Sequence, residues 1–142
     1  MSQTERHRRL RLDRRFDWVG PPDPISRIRP IRLRRLPNES ATEREYRNAA
    51  EALNKWNSKF WVEHNTLFEK EKQKFLDEKR QKKGRIERLS PDDLSDFYRR
   101  FLNERHEALI AYNKEWYRRN LSLLWPAFKV NMIRFVRMLR RR

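Results

Sequence analysis

Five of the seven prolines and one of the two glycines crowd into residues 20–37, GPPDPISRIRPIRLRRLP. Beyond residue 37 only Gly84, Pro91 and Pro126 punctuate the chain. Proline fixes φ, removes an amide donor and pushes its predecessor toward extended geometry. Residues 17–37 therefore cannot be a long helix, and the remainder is almost free of helix breakers. This asymmetry predicts an all-α fold: an extended Pro-rich N-terminal arm over 17–37, followed by a helical domain over 38–142. In the arm, Ile, Arg and Leu interleave through ISRIRPIRLRRL. An isolated strand there would have no sheet to join, so the arm is expected to lie along the helices with its apolar side chains tucked down.

Three helices are expected, over about 40–83, 91–120 and 121–140. Ser40-Ala41-Thr42-Glu43 fits a capping box, with the Ser hydroxyl on an orphan amide and Glu43 reaching back. Tyr46, Ala49, Leu53, Trp56, Phe60, Leu67 and Phe75 then recur at helical spacing, with His64 and Glu71 on the same stripe. Basic residues up to Lys83 and then Gly84 read as a stop signal. Ser90-Pro91-Asp92-Asp93 supplies an N-cap, a first-turn proline and two carboxylates at the positive end of the helix dipole. Leu94, Phe97, Phe101, Ala108, Tyr112 and Trp116 share the next apolar face, flanked by Tyr98, Leu102, Leu109 and Tyr117. A first helix about 65 Å long, at about 1.5 Å per residue, is too long for a globule of this size. The short connection across Gly84 instead predicts a long antiparallel hairpin with facing aromatic stripes. A single bent helix and a hairpin completed by another protein are the alternatives.

The chain is 39% charged and only 37% hydrophobic, so the core is small and leans on five Trp, eight Phe and four Tyr. The net charge of +16 calls for an anionic partner. Its distribution says more. Residues 1–37 hold eleven Arg against four acids, and residues 129–142 hold six basic groups and no acid. The stretch between them, 38–128, is nearly balanced. Residues 1–16, MSQTERHRRLRLDRRF, form a basic N-terminal tail. Arg-rich and acid-poor is the bias of a mitochondrial targeting segment; a plain basic tail is the other reading. No transmembrane helix is expected, since no apolar run reaches eighteen residues.

The final segment, LSLLWPAFKVNMIRFVRMLRRR, is expected to be a basic amphipathic helix, kinked or restarted at Pro126. Leu121, Leu124, Trp125, Phe128, Met132, Phe135, Val136 and Leu139 gather on one side of a helical wheel. Lys129, Arg137 and Arg140 occupy the other, with Arg134 at the edge. That arrangement fits an interfacial helix on anionic lipid. It also fits a third helix packed on the hairpin by its apolar face.

No catalytic constellation appears. Without cysteine there are no disulfides, thiolate zinc sites or thiol catalysis. Two glycines cannot build a phosphate-cradling loop. Of His7, His64 and His106, only His64 sits on an apolar stripe; a satisfied structural histidine is the expectation, metal or haem ligation the alternative. Neither an enzyme nor a bound cofactor is expected. Basic residues among aromatics also suit RNA, but these aromatics keep helical spacing and no RNA-binding motif is present.

An ordered set of residues resembles a known family. Asp17-Trp18-Val19-Gly20-Pro21-Pro22-Asp23 looks like the DWxGPPD entry segment of the apoptogenic protein 1 family, also called cytochrome c oxidase assembly factor 8. Pro37-Asn38-Glu39-Ser40, Trp56-Asn57, Phe60-Trp61, Phe68, Lys70-Glu71-Lys72 and Phe75 follow in order. Asp96-Phe97-Tyr98, Phe101-Leu102, Tyr112-Asn113, Trp116-Tyr117 and Asn120 complete a match over about 17–120. The leader before Trp18 is shorter than the family's, and Pro126 interrupts a stretch expected to be continuous helix. The resemblance implies a non-catalytic mitochondrial factor, peripheral on the matrix face of the inner membrane, that supports cytochrome c oxidase biogenesis. The older family name records a proposed role in cytochrome c release during apoptosis. Implied partners are cytochrome c oxidase subunits or other assembly factors, with anionic inner-membrane lipid; nucleic acid is not expected. A basic RNA- or ribosome-associated mitochondrial protein is the rival reading, and the oligomeric state is open.

The candidate partner-binding or arm-docking residues are Trp18, Gly20, Pro21, Pro22, Trp56, Phe60, Trp61, Tyr112, Trp116 and Tyr117. Trp56 and Trp116 are expected in the hairpin core, while Trp61 and Tyr117 lie off the central stripes and suit partner contact. Gly20 is expected to allow a tight turn and Pro21-Pro22 to stiffen its exit. Trp18 is then placed either in an aromatic groove of the hairpin or on a partner. The candidate membrane-surface residues are Leu124, Trp125, Phe128, Lys129, Arg134, Phe135, Arg137 and Arg140.

Overall fold

A computed structural model of the chain describes residues 13–83 and 90–142. Two short strands, β1 (Trp18–Val19) and β2 (Ile31–Arg32), precede four helices: α1 (Ala41–Lys83), α2 (Pro91–Glu104), α3 (His106–Ser122) and α4 (Leu124–Arg140). Gly84 and His7 lie outside the described residues, as does most of the basic tail.

The start of α1 follows from its capping box. The Ser40 amide donates to Glu43 Oε2 at 2.8 Å, and the Glu43 amide to Ser40 Oγ at 3.2 Å. At α2 the same reciprocal pair joins Ser90 and Asp93, with Pro91 at the first helical position. Each box satisfies amides that a helix start leaves without intrahelical partners.

From α2 to α4 the chain makes one rod, broken at single residues and laid antiparallel along α1. Lys79 pairs with Asp93, Phe75 stacks on Phe97 and Phe68 meets Phe101. Farther along, Trp61 meets Tyr112, Arg119 covers Trp56 and Arg137 pairs with Glu43. The buried apolar side chains among the described residues are Phe75, Phe97, Phe101 and Val130.

Three expectations about the second rod change. The helix expected over about 91–120 is interrupted at Arg105, whose φ of −89° and ψ of 0° leave the α region. The next boundary falls at Leu123, so Leu121 lies in the last turn of α3 instead of opening α4. Pro126 sits in the first turn of α4, where a missing amide costs no internal bond. A straight 3.6-residue helix drifts away from a fixed partner line over many turns, and the two breaks re-aim the rod at α1. Finally, α4 is not a third helix packed by its apolar face. It extends the second rod and meets α1 through a narrow strip centred on Val130, which is 1% exposed. Leu123, Pro126, Ala127, Ile133 and Arg137 are the half-buried members of that strip.

The arm differs as well. It does have a sheet to join, because it pairs with itself: Trp18 opposes Arg32 and Val19 opposes Ile31 in an antiparallel ladder. The reversal is built by Asp23, whose Oδ1 accepts from the Ile25 and Ser26 amides at 2.9 and 2.7 Å. Arg27 turns the chain back with φ of 64°. None of the prolines is asked for an amide, and Pro30 contributes its carbonyl, which accepts from the Gly20 amide at 2.8 Å.

Gly20 is required for space, not for a left-handed turn. A Cβ there would lie 2.4 Å from Trp18 Cη2 and 2.8 Å from Pro30 Cγ. The half-buried Trp18 ring thus rests on its own arm, and among the described residues no ring contact carries it into the aromatic groove of the helices. Gly20→Ala is expected to displace Trp18 and loosen the arm locally by about 1–3 kcal/mol. Trypsin cleavage at Arg27 and Arg32 should accelerate while the helical circular dichroism is preserved.

Candidate functional site

The arm is bolted to α1 by a polar ladder. Glu51 Oε1 accepts from the Leu33 amide at 3.0 Å. Asn54 accepts from the Ile31 amide at 3.2 Å and donates to the Arg29 carbonyl at 2.9 Å. The Ser58 and Ser26 hydroxyls are 3.0 Å apart, and Asn65 donates to the Ile25 carbonyl at 2.7 Å. Residues 51, 54, 58 and 65 are spaced three, four and seven apart, so they share one face of α1. Sequence reasoning passed over them. The available signal was two asparagines and a serine inside a helix, where such residues usually compete with the helical backbone.

The aromatic residues singled out in the sequence assemble between the rods. Tyr112 is the hub, with its ring 4.1 Å from Phe60 and 5.3 Å from Trp56, both stacked. Its hydroxyl accepts from Trp61 Nε1 at 3.0 Å and donates to Asn57 Oδ1. Trp61, expected to face a partner, therefore belongs to the interior zipper, because its indole N–H finds an acceptor across the rods. Trp116 is half-buried against Tyr117. Tyr117 itself stays 61% exposed, and Pro21 and Pro22 also face solvent.

His64 lies beside this cluster, buried among Phe60, Trp61 and Phe101. Burial, with the Arg105 charge nearby, holds its pKa below the ordinary 6.5. His64 Nδ1 and Arg105 Nε are buried without a hydrogen-bond partner. Among the described residues no group of three His, Asp or Glu side chains is placed to hold a metal ion.

The outer face of α4 has the opposite character. Leu124, Trp125, Phe128, Met132, Phe135, Val136, Met138 and Leu139 are exposed, Trp125 by 63% and Phe128 by 55%. Spaced three and four apart, they form one continuous apolar face directed away from the buried strip. Lys129 and Arg140 flank it on one side and Arg134 on the other, and Lys129 Nζ lies 5.5 Å from the Trp125 ring centroid. The helix contains no acidic residue.

Arg137 is a correction. It was expected on the exposed basic face but points inward, where Nη1 and Nη2 donate to Glu43 Oε1 and Oε2 at 2.8 and 3.0 Å. Nη2 also donates to the Asn38 carbonyl at 3.3 Å. Burial pushes the Glu43 carboxyl up, but hydrogen bonds from Arg137 and from Ser40 outweigh it and hold the pKa below 4.5. Glu43 therefore caps α1 and anchors α4 at once.

Residues 16–136 match the family model of cytochrome c oxidase assembly factor 8. The chain belongs to that family. A mitochondrial member from Caenorhabditis elegans is 63% identical over 132 residues, covering 93% of each chain. The cytochrome c oxidase assembly factor 8 of Rattus norvegicus is 34% identical over 126 residues, covering 83% of this chain and 65% of the rat protein. The Homo sapiens factor is 32% identical over 126 residues, covering 83% of this chain and 61% of its own length. No solved structure matches the chain. The matched span contains the strapped arm, the zipper and most of the outer face of α4. Among the described residues of this family member, no helix is long and apolar enough to cross a membrane.

Proposed function

We propose that the chain supports cytochrome c oxidase assembly in mitochondria as a non-catalytic factor held peripherally on the matrix face of the inner membrane by α4. The family carries the assembly role in its name. The observation that supports membrane attachment is the apolar outer face of α4, flanked by Lys129, Arg134 and Arg140 in a helix without an acid. Immersing such a face to the headgroup level removes Trp125, Phe128 and Phe135 from water. Each flanking cation adds on the order of 1 kcal/mol near an anionic surface. The long rod then offers its other exposed side chains, Tyr117 among them, to oxidase subunits or to other assembly factors. An RNA-binding reading is less favoured because the rings of Trp56, Phe60, Trp61 and Tyr112 pack against one another, face to face or edge to face, and are not free to receive bases.

Flotation with cardiolipin-containing vesicles, against vesicles of phosphatidylcholine alone, tests the attachment. The wild-type chain is expected to float with the anionic vesicles. Trp125→Ser/Phe128→Ser/Phe135→Ser should lose flotation with an unchanged melting temperature, since all three side chains point outward. Equal flotation of that variant, or salt-sensitive RNA binding with no lipid binding, overturns the reading.

A further inference from the structure

Where the end of the arm meets α4, a crevice is lined from two distant parts of the chain. Arg34 comes from the arm and Arg134 from α4, and Glu39, Glu43 and Arg47 share the lining. Both carboxylates are already engaged by bidentate guanidinium forks. Arg47 donates to Glu39 from Nε and Nη2 at 2.9 and 3.1 Å, and Arg137 takes both oxygens of Glu43. With both carboxylates engaged elsewhere, neither the Arg34 nor the Arg134 guanidinium has a hydrogen-bond or ion-pair partner among the described residues. Two cations are thus held at one opening whose acids are already paired with other arginines.

We infer that Arg34 and Arg134 form a clamp for the phosphate of an anionic lipid headgroup. Two guanidinium forks match the oxygens of a phosphate, and charge-assisted bonds of this kind are short and strong. The lipid source follows from position. Arg134 lies at the edge of the apolar face of α4, one turn before the exposed Met138, so a phosphate held between the two guanidinium groups at the mouth of the crevice would have its acyl chains beside that face. The arm would then help set the membrane orientation of the rods, with its ladder to α1 holding Arg34 in place. The inference rests on the membrane reading above and deepens it.

The test uses the full chain, vesicles of phosphatidylcholine with and without cardiolipin, and NMR of the arginine Nε–H groups. Arg34→Gln and Arg134→Gln are each expected to weaken binding to the anionic vesicles about tenfold. Together they should fall well short of the product, because either loss already opens the clamp. Arg140→Gln, outside the crevice, should multiply with Arg34→Gln. Short-chain phosphatidylglycerol below its micelle concentration should shift the Arg34 and Arg134 resonances, and inorganic phosphate at the same concentration should shift them far less. If vesicle binding is intact but the Arg34 and Arg134 effects simply multiply, the clamp is wrong and the membrane reading stands. If the wild type ignores anionic vesicles, the membrane reading fails and the clamp with it. Equal shifts with inorganic phosphate overturn the lipid source.

Discussion

Phe101→Ala should destabilise the protein by about 3–5 kcal/mol, the usual cost of emptying a buried phenylalanine site. Phe101 is 4% exposed and touches the rings of Phe68, Phe97 and His64. Two features put the effect at the upper end. The site lies four residues before the break at Arg105, so collapse of the cavity would have to move two helix segments together. The buried apolar set among the described residues is also small, so few other contacts compensate. Against a typical total of about 5–15 kcal/mol, such a loss should lower the thermal midpoint of the helical signal steeply. Phe101→Leu should recover most of it. A cost under about 1 kcal/mol for Phe101→Ala would mean that the facing rings do not hold the rods together.

The second large effect is expected at the far end of the hairpin. Arg137→Met keeps the apolar stem but removes the charge opposite Glu43, whose side chain is only 4% exposed. Stranding a buried carboxylate typically costs about 3–5 kcal/mol. Arg137 is itself a quarter exposed, so water can reach the site and the lower figure applies. The pH dependence identifies the cause. In the wild type the Glu43 pKa is held below 4.5, so its pairing stabilises the fold above pH 4.5 and is lost as pH falls through the depressed value. In the variant, burial acts without the guanidinium and favours the protonated acid. The stability gap between wild type and variant, read from denaturant midpoints, should therefore narrow between pH 7 and pH 3.5. A gap that stays constant would show that Arg137 contributes packing alone.

These predictions rest on parts of the molecule that were unequally legible beforehand. The capping box at Ser40–Glu43 and the N-cap at Ser90 could be read directly, because each depends on residues within three positions of one another. The stripe from Trp56 through Phe75, and its counterpart at Phe97, Phe101 and Tyr112, announced two facing helices because periodicity is a local property. The role of Trp61 was misjudged for the same reason. A helical wheel places it off the stripe, whereas its partner, Tyr112 Oη, is 51 positions away. On α4 the wheel correctly separated apolar from basic residues but could not say which side faces α1.

The chain by itself determined where helices start, which faces carry aromatic rings and that charge collects at the two ends, since all of this follows from near-neighbour chemistry and composition. Only the tertiary structure decided that the arm pairs with itself, that Trp18 lies on Gly20, and that α4 continues the second rod with its broad apolar face outward. The physical reason is distance along the chain. Arg137 and Glu43 are 94 positions apart, and local propensity cannot tell a guanidinium that will meet a buried carboxylate from one that will meet water.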